Sequence, residues 1–261
     1  MDYETIQFSK QGAVALLRFD RPESYNALDH RMAPELLEAV IEAQDDPAVR
    51  ALVLTGSGTA FHAGGDVKAF VAQGEDVGAY IDRMVIPFHA FISHLVRLPK
   101  PVVAAVNGVA AGAGFSIALA CDVVLAQADA VFTVAYSRIG ASPDGSMTWF
   151  LVRHLGTRRA MELYLSNRVL TAQEACDWGL VTQVLPAEGF LDAALEQARL
   201  LAEGPTTAYG LAKNLFTHSL NHELETQLEL EARGIIAASR TRDFREGTRA
   251  FVEKRKAAYQ G

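Results

Sequence analysis

Cysteine is scarce in this 261-residue chain, which has only Cys121 and Cys176. No C-x-x-C spacing occurs, so buried thiols are expected rather than a disulfide framework or a thiolate metal site. There is no block of lysine and arginine either. Acidic residues number 31 against 24 basic ones, for a net charge of -7, which excludes a surface built to neutralise a nucleic-acid backbone. The longest largely apolar stretch, Gly108 to Cys121, is bounded by Asn107 and Asp122 and is too short and too rich in Gly and Ala to span a bilayer. The opening residues, MDYETIQFSKQG, contain no apolar segment of the kind a secretory leader needs. A cytoplasmic protein without membrane contact is the expectation. Nucleotide cradles are also missing: no G-x-x-x-x-G-K-[ST] occurs, and GAGFSI lacks the third glycine of a dinucleotide fingerprint. His218 and His222 have the i, i+4 spacing of a helical metal pair, but no H-E-x-x-H accompanies them, so no metal site is expected.

What is present reads as an α/β chain. Half of the residues are hydrophobic (50%), enough for one large core or for a core with an appendage. ETIQFSKQGAVALLRF predicts two short strands around a Lys-Gln-Gly turn. Ala33, Leu36, Leu37, Val40 and Ile41 then recur at helical spacing, with Asp29 as candidate N-cap and Pro34 tolerated in the first turn. Apolar runs at 51–55, 101–106 and 122–126 predict buried strands, and 82–96 predicts the helix ahead of the second of them. From about Thr157 the pattern is overwhelmingly helical. The change of character near residue 200 divides the chain into an α/β core, 1–200, and a C-terminal helical region, 201–261.

Two loops after predicted strands, FHAGGDV (61–67) and NGVAAGAGFS (107–116), remove the side chains that would hold a ligand away from main-chain N–H groups. A helical stretch running to about Cys121 puts a dipole behind the second loop. Close packing of helix on strand through Gly112 and Gly114 explains these glycines as well as a binding role does. The pair also permits one N–H from each loop to converge on a single carbonyl oxygen. In IGASPDGSMTW, Asp144 between Pro143 and Gly145 is by itself an ordinary turn residue.

The landmarks RPESYNAL, LTGSGTAFHAGGDV, KPVVAAVNGVAAGAGFSIALACD, RRAMELYLSNRVLTAQEACDWGLV and AFVEKRK stand in one order along the chain. In these it resembles the crotonase, or enoyl-CoA hydratase/isomerase, superfamily over essentially its whole length. The resemblance implies a crotonase-like ββα spiral core with a C-terminal helical trimerisation region, hence a homotrimer or a homohexamer made of two trimers. It implies an acyl-CoA thioester as ligand, with no cofactor beyond its CoA moiety. The thioester carbonyl would take hydrogen bonds from the Gly65 and Ala113 amides. Ser24, Tyr25 and Ala27 would border the CoA, Ala63, Asp66 and Val67 would meet its adenine or pantetheine, and His62 would line the same cleft. Phe251 and Lys254 would reach a neighbouring subunit's CoA. The acyl pocket would be drawn from the 70–90 and 130–150 stretches, with Trp149 and Phe150 as core or pocket wall.

The chain departs from the hydratase pattern where that pattern has two glutamates, placing Ser116 and Tyr136 there. Neither replaces a carboxylate as a base near neutral pH. Asp144 is left as the acid/base, and YSRIGASPDGSMTWFLVRHLG resembles the stretch of 1,2-epoxyphenylacetyl-CoA isomerases and double-bond-shifting isomerases in which the matching Asp handles the proton. A carboxylate in a small apolar pocket is expected to hold its proton more readily, which suits a group that takes and returns one. His89 matches the base of 4-chlorobenzoyl-CoA dehalogenase, with Asp144 matching its nucleophile, although Tyr136 and Gly65 depart from that enzyme's Trp and aromatic residue. A Ser116, His89 and Asp144 hydrolase, a hydratase with other catalytic residues, and a non-catalytic acyl-CoA binder are the remaining readings.

Overall fold

The N-terminal hairpin is present in the computed structural model, which describes residues 3–261. Strands β1 (Ile6–Gln11) and β2 (Val14–Phe19) pair antiparallel about a tight turn in which Gly12 takes φ +63°. Helix α1 (Met32–Asp45) follows, and the Asp29 carboxylate caps it by accepting the Arg31 and Met32 amides at 3.0 and 2.9 Å. Next come β3 (Ala51–Gly56), β4 (Ala60–His62), α2 (Val67–Ala72) and α3 (Val77–Arg97). A further turn of the same plan brings β5 (Val102–Val106), β6 (Val109–Ala111) and α4 (Ala113–Leu119). The third is β7 (Val123–Gln127), β8 (Val131–Thr133) and α5 (Met147–Ser166). Then β9 (Leu170–Thr171), α6 (Ala172–Asp177) and β10 (Gln183–Leu185) close the core.

Each turn gives its long strand to one sheet and its short strand to another. The first sheet has the order β1-β2-β3-β5-β7-β10 and the second β4-β6-β8-β9. From β2 onward the large sheet is parallel, which requires its strands to be covered on both faces. The alternation along each strand shows how. Val14, Leu16, Ala51, Val53, Val103 and Ala105 pack on Phe190, Leu195 and Ala198 of α7 (Phe190–Ala202). Leu17, Phe19, Leu52, Leu54, Ala104 and Val106 face the main core with α1, α3 and α4. Uninterrupted apolar runs in the sequence are therefore two-faced strands.

Two differences from the sequence reading have local causes, in α3 and in the region after Thr157. Helix α3 starts five residues earlier than 82, its buried face running Tyr80, Met84, Phe88, Phe91, Ile92 and Leu95 through Pro87, because the Gly74 and Gly78 flanks conceal its first turn. The region after Thr157 is not all helix, since β9 and β10 are two- and three-residue sheet edges too short to show a period. Gly156, at φ +73° and ψ 161°, breaks α5 into two segments.

Beyond α7 the chain continues as α8 (Thr206–His218), α9 (Leu224–Ser239) and α10 (Arg242–Glu253). No residue of α9 is buried, and Leu224, Leu228, Ile235 and Ile236 are exposed on it. Among the described residues no helix is long and apolar enough to cross a membrane.

The loop before α1 is stapled to the strand turns by Asn26. Its side-chain amide donates to the carbonyls of Ser57, Ala60 and Phe61 at 2.9, 2.8 and 3.3 Å, and its Oδ1 accepts the Arg21 amide. Asn26→Ala orphans buried carbonyls and keeps a left-handed backbone (φ +59°) under a β-carbon that asparagine tolerates better. Urea denaturation should show a loss of about 2 kcal/mol or more; an unchanged midpoint would remove the staple from the account.

Candidate active site

Strands β4 and β6 pair parallel, so the glycines that follow them emerge at the same end of the small sheet. They also touch: a Cβ on Gly112 would lie 3.5 Å from the Gly64 α-carbon. What points out of this junction is settled by the bonds that point in. The Gly64 carbonyl accepts the Leu28 amide at 2.7 Å, and the Asp66 amide donates to the Leu28 carbonyl at 2.8 Å. In such a parallel bridge the flanking peptides face the partner and the central residue's own N–H faces away. On the other loop the Gly112 carbonyl accepts the Ser116 amide at 3.0 Å, so the Ala113 N–H leaves the first turn of α4 in the opposite direction. Among the described residues neither the Gly65 nor the Ala113 N–H has a protein acceptor. The helical stretch expected after this loop is α4, seven residues long, and the Ala113 amide opens its first turn.

Gly65, Ala113 and Asp144 line one cavity of about 520 Å³. Its apolar wall comes from Val67, Phe70, Ile81, Met84, Val85 and Ile139, drawn largely from the stretches expected to supply it. Asp144 is the one carboxylate among the described lining residues. The turn expected of Pro-Asp-Gly is formed, and it uses the backbone of Asp144 rather than its side chain. The Asp144 carbonyl closes a turn by accepting the Met147 amide at 3.1 Å, with Gly145 at φ +58°. The carboxylate is left for the cavity.

Tyr136 donates its hydroxyl to Asp144 Oδ1 at 2.5 Å. Burial first, and then the neighbouring Asp144 charge, push the Tyr136 phenol well above its usual range, so it stays protonated and can only donate to that oxygen. Ser116, fully buried, donates to backbone: its Oγ lies 3.0 Å from the Asp144 carbonyl and 3.3 Å from that of Gly112. Sequence reasoning dismissed Tyr136 as a base and missed it as a partner for Asp144. An eight-residue separation across an irregular loop carries no periodic signal that could have shown it.

His89 stands in a neighbouring cleft with Ser93, Ser146, Trp149 and Phe150. Its Nε2 is 3.6 Å from Asp144 Oδ2 and accepts the Gly145 amide at 3.2 Å. The lone pair a base would use is therefore engaged by the turn. Ser116 and His89 do not meet, because the serine hydroxyl is spent on backbone carbonyls and the imidazole on Gly145, so the Ser-His-Asp hydrolase reading is corrected.

Three of the expected CoA-contacting residues, Ser24, Ala27 and Asp66, bond to Arg21. It ion-pairs with Asp66 at 2.9 Å and donates to the Ala27 carbonyl at 2.6 Å. The Asp66 carboxylate also caps α2 by accepting the Ala69 amide, so that side chain is committed to the protein. The Ala63 amide donates to Tyr25, which is exposed, while Ser24 is half-buried beside it. Ala63 and Val67 line the cavity, whereas Phe251 and Lys254, at the exposed end of α10, do not. His62 is a correction. Instead of lining the cleft, its ring is fully buried, edge-to-face on Phe19 with centroids 5.0 Å apart. Its Nδ1 accepts the Gly64 amide at 3.1 Å. Among the described residues no group of three or more His, Cys, Asp or Glu side chains is placed to hold a metal ion, and both cysteines are free.

A family model described as Enoyl-CoA hydratase/isomerase matches residues 9–261. The chain is 39% identical to 1,2-epoxyphenylacetyl-CoA isomerase of Escherichia coli (strain K12), over 99% of each chain. It is 37% identical to 4-chlorobenzoyl coenzyme A dehalogenase-1 of an Arthrobacter species, over 95% of this chain and 91% of that one. Among solved structures, an enoyl-CoA hydratase from Polaromonas sp. JS666 aligns with a TM-score of 0.93 at 35% identity, covering 98% of this chain and 99% of that one.

Burial lowers the His62 pKa to about 3. The unfolded chain binds a proton at this residue near pH 6.5 and the folded one does not, so its contribution is complete above pH 6.5 and is lost as pH falls toward 3. Chemical denaturation between pH 7 and 4.5 should show His62→Phe gaining stability relative to the parent as pH drops. Parallel pH profiles would contradict a neutral buried imidazole.

Proposed function

The chain belongs to the enoyl-CoA hydratase/isomerase family, an acyl-CoA enzyme by that membership, and we propose that it is a CoA-thioester isomerase with Asp144 as its acid/base. The observation that carries this reading is the meeting of one carboxylate and two amides without protein acceptors in a single apolar cavity. The relatives' names span isomerase, dehalogenase and hydratase, so the choice among them rests on the residues around Asp144.

Take a 3-enoyl thioester with its carbonyl oxygen between the Gly65 and Ala113 amides. Asp144 removes a proton from C2, and the electron pair moves onto the thioester oxygen as a dienolate. Each preorganised amide facing that charge is worth about 3 to 4 kcal/mol in reactions of this kind. The same carboxyl group then returns the proton to C4, leaving the double bond between C2 and C3. Tyr136 occupies Oδ1, so Oδ2 is the oxygen free to move the proton. Nothing is added or lost, and one carboxylate suffices. A 1,2-epoxyphenylacetyl-CoA-type thioester would use the same oxyanion contacts. Hydration asks for a second acid or base to activate water while C2 is protonated, and no other carboxylate is among the described lining residues. No cofactor beyond the CoA of the substrate enters this scheme.

The dehalogenase reading has the 3.6 Å approach of His89 to Asp144 in its favour. Against it stands Gly65 in place of that enzyme's aromatic residue: a Cβ there would meet the Phe70 ring at 2.7 Å, so a larger side chain would require that ring to move. The C-terminal region, 201–261, serves oligomerisation in this proposal: the exposed apolar residues of α9 meet other copies, as a homotrimer or homohexamer. Phe251 and Lys254 then reach a neighbour's CoA.

Asp144→Asn should lower kcat with 3-enoyl-CoA or epoxyphenylacetyl-CoA by about 10²- to 10⁴-fold, read by mass spectrometry, with calorimetric affinity for the thioester unchanged. Full activity in that variant would overturn the proposal. A covalent adduct on Asp144 in His89→Gln given a halobenzoyl-CoA would replace it with the dehalogenase reading, and several thioesters bound but none transformed by the parent would make the chain a binder.

A further inference from the structure

Resting on the oxyanion reading above, we propose that His62 is a positioning residue whose imidazole Nδ1 sets the backbone course that aims the Gly65 amide at the thioester oxygen. The bond it makes runs from the Gly64 N–H to the side chain two residues earlier, 3.1 Å long. Nδ1 is as many bonds from its α-carbon as the Oδ1 of an asparagine, so the contact is the imidazole counterpart of an Asx turn. Gly64 needs such a restraint. It sits at φ +97°, where glycine has no side chain to define a rotational well. Leu28 holds the peptide plane after Gly64, the one that carries the Gly65 N–H, and His62 holds the plane before it. With both planes pinned, the two torsions at Gly64 have no freedom left.

The imidazole is an expensive way to fill this space, which argues that its acceptor is needed. With Nδ1 accepting, the ring proton sits on Nε2, and that nitrogen is buried without a partner among the described residues. Phenylalanine, a slightly larger ring, would pack against Phe19 with no orphaned donor. The neutral form persists through the physiological range, because burial opposes the cation. The second loop leans on the same residue: a Cβ on Gly114 would lie 1.9 Å from the His62 carbonyl oxygen and 2.8 Å from its β-carbon. One buried side chain and its own backbone thus fix the relative placement of both amide-bearing loops.

The test compares His62→Phe, which keeps a buried aromatic ring and loses the acceptor, with His62→Asn, which loses the ring and keeps an acceptor at the right reach. His62→Phe should lower kcat on the order of 10- to 100-fold with KM little changed, and His62→Asn should recover most of that loss in spite of a lower Tm. Activity and stability then rank the variants in opposite orders, which a packing role alone does not produce. If His62→Phe does not fold, His62→Leu against His62→Asn makes the comparison with the same number of side-chain heavy atoms in the same branched arrangement. A readout independent of turnover is the infrared band of a saturated acyl-CoA carrying ¹³C at the thioester carbonyl. It should shift to lower frequency on binding the parent, shift less on the Phe or Leu variant and regain the shift on the Asn variant. Asn as impaired as Phe or Leu, or one kcat and one band position for all, overturns the positioning role. An unshifted band in the parent instead removes the oxyanion reading on which it rests.

Discussion

The planarity of two peptide groups is the constraint on which the rest of this site depends. A peptide whose carbonyl is held inside the fold has no choice about where its N–H points. Leu28 holds the carbonyl of Gly64, and Ser116 holds that of Gly112. The donors at Gly65 and Ala113 are thereby fixed before any ligand arrives, and preorganisation of this kind avoids reorientation when charge develops on a bound oxygen. The ββα plan makes the pairing possible, because parallel β4 and β6 end together and their following residues are neighbours.

Around this pair the side chains divide the remaining work. Tyr136 and Ser116 grip the Asp144 turn, one through the carboxylate and the other through the backbone carbonyl. They stand where the resemblance puts a hydratase's glutamates, and here they support Asp144, the one carboxylate among the described lining residues. Arg21, bonded to Ala27 and Asp66, ties the loop before α1 to the loop after β4. Ala27 and Asp66, both expected near the CoA, are joined by these internal bonds, while Ala63 and Val67 line the cavity itself.

Much of this was legible in the chain. The large-sheet strands are continuous apolar runs because α7 covers one face and the main core the other, so they stood out without any periodicity of two. The short strands β4, β6 and β8 were hidden in glycine-rich loops, since three residues cannot display a period and their neighbours are chosen for close approach rather than for strand propensity. Gly65, Ala113 and Asp144 were named from the family resemblance, and the fold brings all three to one cavity. His62 was not, because a buried histidine in a glycine loop looks like a cleft residue until the ring is seen turned onto Phe19. The engagement of His89 by the Gly145 amide, and of Tyr136 by Asp144, depends on how an irregular loop folds back, which no local pattern encodes.

Asp144 and the two amides serve one reaction only if a single acyl thioester reaches all three. A crystal structure with a saturated, unreactive acyl-CoA measures this directly. The account predicts the thioester oxygen at about 3 Å from both the Gly65 and Ala113 nitrogens, with Asp144 Oδ2 facing C2 to C4 of the acyl chain. A thioester seated on the two amides with its chain running away from Asp144, or one seated elsewhere altogether, would contradict it.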